Sequence, residues 1–210
     1  MLDSMSHASD PFFRTFHALR IKGFAKADTI AEVADLPQSV VDQHLQDLQG
    51  REWVQYREAR ELWQLTAVGR EEHRIALAED VAGTHVATEL HATYQDFLVL
   101  NERFKALCGD WQLRDGQPND HSDAAYDANV VARLVALDEE AGPVVAAMGA
   151  VLPRLAPYGR RLAATRERVV AGESKMFTGV MCGSYHDVWM ELHEDLILTQ
   201  GIDRAAEGSF

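Results

Sequence analysis

The stretch Ser184–Asp195, SYHDVWMELHED, gathers more groups able to do chemistry than any other in this sequence. On a helix, His186, Trp189 and His193 share one side, while Asp187, Glu191, Glu194 and Asp195 lie mostly on another. The two histidines stand two turns apart, roughly 10 Å of helical rise. One metal ion does not reach both easily, and Met190 rather than a third ligand stands between them. No HExxH or ExxH pair occurs. A metal would need His121, Asp120 or Asp123 brought in from elsewhere, and spacing does not show that. No metal and no cofactor are therefore expected. The functional reading of these groups is a cavity for a small molecule. Trp111, His121, Tyr126, Tyr185, His186, Trp189 and His193 each pair an apolar body with a polar tip, which suits an aromatic or amphipathic effector. The same residue types at helical spacing also make an ordinary packed core, and the spacing does not separate the two.

Other candidate chemistry is thinner. Asn101 and Arg103 in LNERF read as structural. Arg160, Arg161, Arg166 and Arg168 form a basic helical face that could pair with the acidic last helix. No supported catalytic triad, phosphate-binding glycine loop or dinucleotide fingerprint is present. The expectation is not an enzyme.

A second set of polar groups lies between residues 38 and 60. Val41, Leu45 and Leu48 recur at four and three, one helical face. The outward positions are then Gln38, Ser39, Val40, Gln43, His44 and Gln46, with Asp42 and Asp47 beside them. Glutamine pairs bidentately with adenine, and serine or histidine reaches bases or phosphates. This helix holds no Lys or Arg. Cations surround it instead: Lys22 and Lys26 before, Arg51 after, Arg57 and Arg60 within EAREL and its approach. A polar helix face on a domain that does not bind DNA has the same composition.

The elements around these groups follow a plan. A short helix through Ile30 and Val33 meets a turn at Leu36-Pro37, and the helix near 38–49 follows. After Gly50 come two strand-like runs, Trp53–Arg57 and Leu62–Leu65, joined by a charged turn. Helix, turn, helix and two-stranded ribbon is the plan of a winged helix-turn-helix, whose second helix lies in a major groove. Ile30, Ala31, Val33, Ala34, Leu36-Pro37, Ser39, Val41, Leu45, Leu48, Gly50, Trp53, Val54, Leu65-Thr66 and Gly69-Arg70 carry a resemblance to the MarR type of winged-helix transcription factor. It covers roughly the first third of the chain. The resemblance implies double-stranded DNA as partner, a homodimer on a palindromic operator, and a first helix that packs under the helix-turn-helix and helps to dimerise. The remainder is much larger than the two helices such a subunit ordinarily adds.

Composition limits the alternatives. The chain has 210 residues, 47% of them hydrophobic, and a formal net charge of −13. Residues 1–74 carry 9 Lys/Arg against 12 Asp/Glu, and residues 75–210 carry 11 against 21, so the acid is concentrated in the second part. Neither part is a basic patch of the kind that drives non-specific nucleic-acid binding. The two cysteines, Cys108 and Cys182, suggest reduced thiols rather than a disulfide framework. The polar start is no signal peptide and no apolar run is long enough for a membrane span, so a soluble cytoplasmic protein is expected.

Taken in order, residues 1–10 read as a disordered tail, 11–74 as the winged-helix domain and 75–210 as a helical dimerisation or effector domain. Asp10-Pro11 opens a helix that Gly23 ends, and Asp28 is expected to cap the next. One long connecting helix is expected from Ala67 to about Leu107, with Gly83 its weak point. A loop over 111–122 follows, then a helix capped by Asp120 or Ser122 and broken at Gly142-Pro143. Further helices are expected over 143–152, 158–170 and 175–199, with no strand after Leu65. The fold class is mainly α: winged helix-turn-helix, long connecting helix, C-terminal bundle. The leading function is a DNA-binding regulator with an effector in the bundle. The alternative is a protein–protein interaction module.

Overall fold

The computed structural model describes residues 7–203 and is mainly helical, with a small antiparallel sheet. Most of the expected tail, residues 1–6, lies outside the described residues. The rest of it is anchored: His7 Nε2 and Ser9 Oγ meet the Asp80 carboxylate at 3.1 and 2.9 Å.

Asp10 accepts from the backbone N–H groups of Phe12 and Phe13, and Pro11 supplies a preset φ for the first turn of α1 (Pro11–Lys22). Gly23, at φ 73°, ends α1 and leads into β1 (Phe24–Ala25). Lys26, not Asp28, precedes α2 (Ala27–Ala34). Asp28 sits in the first turn, where its negative charge suits the helix N-terminus. Asp35, in the left-handed region, turns the chain through Leu36-Pro37 into α3 (Gln38–Gly50). Hairpin β2 (Val54–Arg57) and β3 (Leu62–Leu65) closes through a 3-10 turn at Glu58–Arg60. The sheet order is β1-β3-β2, with Ala25, Trp63 and Tyr56 in one row. Ile30, Val41, Leu45 and Leu48 are fully buried with Phe16 and Leu19 of α1, which makes one apolar core.

The connecting helix is two helices. Thr66 caps α4 (Ala67–Asp80), and the chain turns at Gly83 (φ 71°) before α5 (Val86–Gln112). Thr84 Oγ1 takes up the Val86 N–H, so the break is an organised turn. Gly69 packs so closely under Trp53 that a Cβ there would overlap its carbonyl, which fixes α4 against the hairpin.

After α5 comes a second, very short hairpin, β4 (Leu113–Arg114) and β5 (Gln117–Pro118), where a loop without strands was expected. Asp115 and Gly116 both have positive φ, the geometry a two-residue hairpin turn demands. Asp123, rather than Asp120 or Ser122, caps α6 (Ala124–Val151), accepting from Ala125 and Tyr126. This helix does not break at Gly142-Pro143. Leu134, Leu137, Ala141, Val145 and Met148 are buried on both sides of the proline, and this burial outweighs one lost backbone hydrogen bond. A 3-10 turn (Pro153–Leu155), α7 (Ala156–Val170), the single-turn α8 (Lys175–Thr178) and α9 (Tyr185–Gln200) complete the described chain. Helices α5, α6, α7 and α9 share the second apolar core.

Helix α1 packs on α2, α3, α4, β3 and α9. Phe13, Thr15, Phe16, His17, Ala18 and Leu19 are all buried, so α1 is enclosed on nearly every side. It does not offer the open apolar face that the expected dimerising role requires.

Candidate nucleic-acid interface and the cleft behind it

The outward face of α3 is polar and uncovered. Gln38, Ser39, Gln43 and Gln46 are exposed, with Asp42 and Asp47 among them, and Val40 is half-buried. Gln38 Nε2 donates to Asp42 Oδ1 at 2.9 Å, which engages one of the groups expected to read bases. His44 does not face outward as expected. Its Nδ1 lies 2.8 Å from Thr15 Oγ1 and its ring meets Phe12 edge-on, so it holds α3 to α1. Arg51 is exposed, with its guanidinium 5.0 Å from the ring centres of both Phe12 and Trp53. That stacking fixes a charge at the end of α3.

At the tip of the β2–β3 hairpin, Arg57 and Arg60 are exposed, and among the described residues neither makes an ion pair. Other cations near α3 are engaged. Lys26 pairs with Glu61, Lys22 with Glu191 and Arg20 with Glu194. Lys22 and Lys26 therefore do not stand free beside α3.

The expected small-molecule pocket does not form from the seven residues proposed for it. Tyr185, Trp189 and His193 are fully buried in the bundle core. Trp189 Nε1 donates to Asn101 Oδ1 at 2.9 Å and stacks on Phe97, Tyr185 donates to Asp138, and His193 Nε2 lies 3.5 Å from the Tyr94 hydroxyl. These are the contacts of a packed core. Trp111, His121 and Tyr126 lie at the β4–β5 hairpin. His121 is exposed on the Trp111 ring and pairs with Asp127, and Tyr126 donates to the Asp110 carbonyl. Of the seven, His186 lines an open cavity. No group of three or more His, Cys, Asp or Glu side chains among the described residues is arranged to hold a metal ion.

That cavity lies elsewhere. A cleft of about 1100 Å³ runs between the end of α1, β1 and α2 on one side and α7, the 181–183 loop and α9 on the other. Its wall includes Lys22, Glu32, Arg161, His186, Met190 and Glu191. Of the basic face expected on α7, Arg161 pairs with the acidic last helix there, its Nη2 meeting Glu191 Oε2 at 2.6 Å, whereas Arg166 meets Asp138 of α6 and Arg168 meets Glu173. Arg160 reaches Asp35 of α2 at 2.7 Å.

Below the cleft, the two halves meet at a buried polar node that the sequence did not disclose. Arg154 pairs with Asp195 and donates to Thr199 at 2.6 Å. His17 Nε2 lies 3.0 Å from Asp195, and His17 Nδ1 lies 2.9 Å from His73 Nε2. Tyr158 donates to the other Asp195 oxygen at 3.3 Å. Burial lowers both imidazole pKa values from 6.5, His73 down to about 2, so both rings are neutral at pH 7. Burial alone would raise the Asp195 carboxyl, but Arg154 and His17 together outweigh it and hold the group below the usual carboxylate range. The node joins α1, α4, the start of α7 and α9. These residues are remote in sequence, and no local spacing marks them as partners.

Comparison of the chain with protein-family models, curated proteins and solved structures returned no match.

Proposed function

We propose that this chain is a DNA-binding transcriptional regulator of the winged helix-turn-helix kind. In this reading α3 enters a major groove and the β2–β3 tip lies against the neighbouring backbone or minor groove. The observation that carries it is the contrast among cations. Lys22, Lys26, Arg20 and Arg160 are tied up in ion pairs, whereas Arg57 and Arg60 stand exposed and unpaired on the hairpin beside an uncovered polar helix face. Ser39 and Gln43, exposed on that face, can meet base edges, and the stacked Arg51 can meet a phosphate. Two copies on a palindromic site would supply affinity that one weakly basic helix lacks. Because α1 is enclosed, the second copy would dock through the bundle.

Three observations favour a second reading, an interaction module whose α3 face binds protein. Asp42 and Asp47 flank the reading positions, no cation stands on α3, and the whole chain carries −13.

The deciding experiment is retention of native genomic DNA fragments by the purified protein at two salt concentrations, followed by sequencing. Recovery of a palindromic site with a steep salt dependence supports the regulator. Retention of nothing above background at low salt overturns it in favour of the interaction module.

A further inference from the structure

The cleft between the two halves has a chemical gap in its wall. Arg161, on α7, has a side chain only 10% exposed. Its Nη2 is taken by Glu191, which also receives Lys22 Nζ at 2.5 Å. Its Nε–H is buried and has no hydrogen-bond partner. Glu32 of α2 brings its Oε1 only to 3.8 Å from that nitrogen, beyond hydrogen-bond range, on a side chain 69% exposed. A buried guanidinium N–H without an acceptor is costly, and an acceptor that displaces Glu32 can satisfy it. His186 Nδ1, also in the cleft wall, is a second buried polar atom without a partner.

Charge narrows the class of ligand. Glu191 is shared by two cations, and the carboxylate that balances the second is Glu32, held to Arg161 only at 3.8 Å, so one surplus positive charge is laid open here when Glu32 swings out. The other acids nearby are committed: Asp35 to Arg160, Glu194 to Arg20, and Asp187 to the backbone N–H groups of Met181, Cys182 and Gly183. One surplus charge fits a monoanion and disfavours a polyphosphate among so many carboxylates. The apolar part of the wall is aliphatic and thioether in character, with Ile21, Leu62, Met181, Val188 and Met190, and Phe24 supplies a phenyl ring. Flexible methionines accommodate an alkyl chain readily.

We propose that this cleft is a binding site for an amphipathic aliphatic monocarboxylate, whose carboxylate accepts from Arg161 Nε in place of Glu32. Its chain lies along the Ile21, Val188 and Met190 wall. Binding replaces the loose Glu32–Arg161 tie between α2 and α7. Since α2 packs directly on α3, the ligand then changes how the bundle holds the α3 face. This regulatory consequence rests on the DNA-binding reading; the binding itself does not.

Isothermal titration calorimetry of the full chain without DNA tests it, with octanoate as probe and octan-1-ol, benzoate and inorganic phosphate as comparisons. Octanoate is expected to bind one per chain, with octan-1-ol at least about tenfold weaker for want of the charged hydrogen bond. Glu32→Gln removes the competing acid from an exposed position and is expected to tighten octanoate binding. Arg161→Lys keeps the charge on Glu191 but loses the Nε donor, and weakening of about tenfold is expected. A folded Glu32→Gln protein that binds octanoate no tighter than the parent overturns the displacement. Absence of octanoate binding to both proteins overturns the site. Benzoate or phosphate binding as tightly as octanoate overturns the ligand class. With no DNA present, failure of the DNA-binding reading leaves every one of these outcomes unchanged.

Discussion

Arg154, just before α7, and Asp195, in α9, form an ion pair almost sealed from solvent, with 4% and 3% of their side-chain surfaces exposed. Such a pair stabilises little against an apolar replacement, yet breaking it leaves an uncompensated buried charge. Asp195→Leu should therefore cost about 3–5 kcal/mol in urea unfolding. The double variant Arg154→Met/Asp195→Leu should cost less than Asp195→Leu alone. A double variant at least as unstable as the single one would show that the pair's worth lies in its shape and not in its charges.

The node should also make stability depend on pH. Burial depresses the pKa values of His17 and His73 in the folded state. Their contribution is therefore full above the unfolded value of 6.5 and is lost as pH falls through the window toward the folded values, about 2 for His73. Each neutral imidazole can contribute a slope of up to about 1.4 kcal/mol per pH unit there. Asp195, also depressed, adds its own loss only below about 3.8. Urea midpoints at pH 7.5, 6.0 and 5.0 should fall steadily, and His73→Phe should flatten that slope. Equal slopes for the two proteins would count against neutral buried histidines.

If Arg57 and Arg60 touch a phosphate backbone, Arg57→Ala/Arg60→Ala should weaken DNA binding across all sequences and make its salt dependence shallower. Gln43→Ala should instead change which sequences are retained. Both are read from fluorescence anisotropy at several salt concentrations. An unchanged salt slope in the double variant would remove the hairpin from the interface.

His44→Ala should act on stability rather than on base preference, because the ring bonds Thr15 and packs on Phe12. A loss of about 1–2 kcal/mol in thermal unfolding is expected for the hydrogen bond and its packing. A variant of unaltered stability with altered sequence preference would return His44 to the outward face.

Two glycines should respond with opposite signs. Gly69→Ala drives a Cβ into the Trp53 carbonyl and should destabilise by about 1–3 kcal/mol. Gly50→Ala, at the end of α3, meets nothing within 4 Å and should stabilise by about 0.5–1 kcal/mol. Differential scanning calorimetry of the two variants checks the pair, and a neutral Gly69→Ala would mean that α4 can slide off the hairpin.

Some of this molecule could be read from local pattern. The four-and-three spacing of Val41, Leu45 and Leu48 gave α3 its buried face, and Asp10-Pro11 gave α1 its start. The Asp115-Gly116 turn was legible too, since both residues favour positive φ, but a breaker reading concealed the hairpin. Pro143 misled because burial along α6 overrides a local propensity. The spacing of His186, Trp189 and His193 did mark one helical side, which faces Phe97 and Phe104, but only the opposing α5 decides whether that side lines a cavity or fills a core. The Lys22, Glu191 and Arg161 cluster, like the histidine node, joins distant segments. Single-sequence periodicity carries no signal for such pairings.

His17 and Asp195 lie near opposite ends of the described chain, and this has a consequence for how the protein is made. On the ribosome, α1 emerges early and its apolar face can settle on α2 and α3 at once. The acceptor that satisfies His17, and the helix that covers this side of α1, are translated only when α9 emerges. Until then the half bearing α3 carries an unsealed face and an incomplete ledger of hydrogen bonds. A nascent or truncated product lacking α9 therefore leaves that seam open to proteases and chaperones.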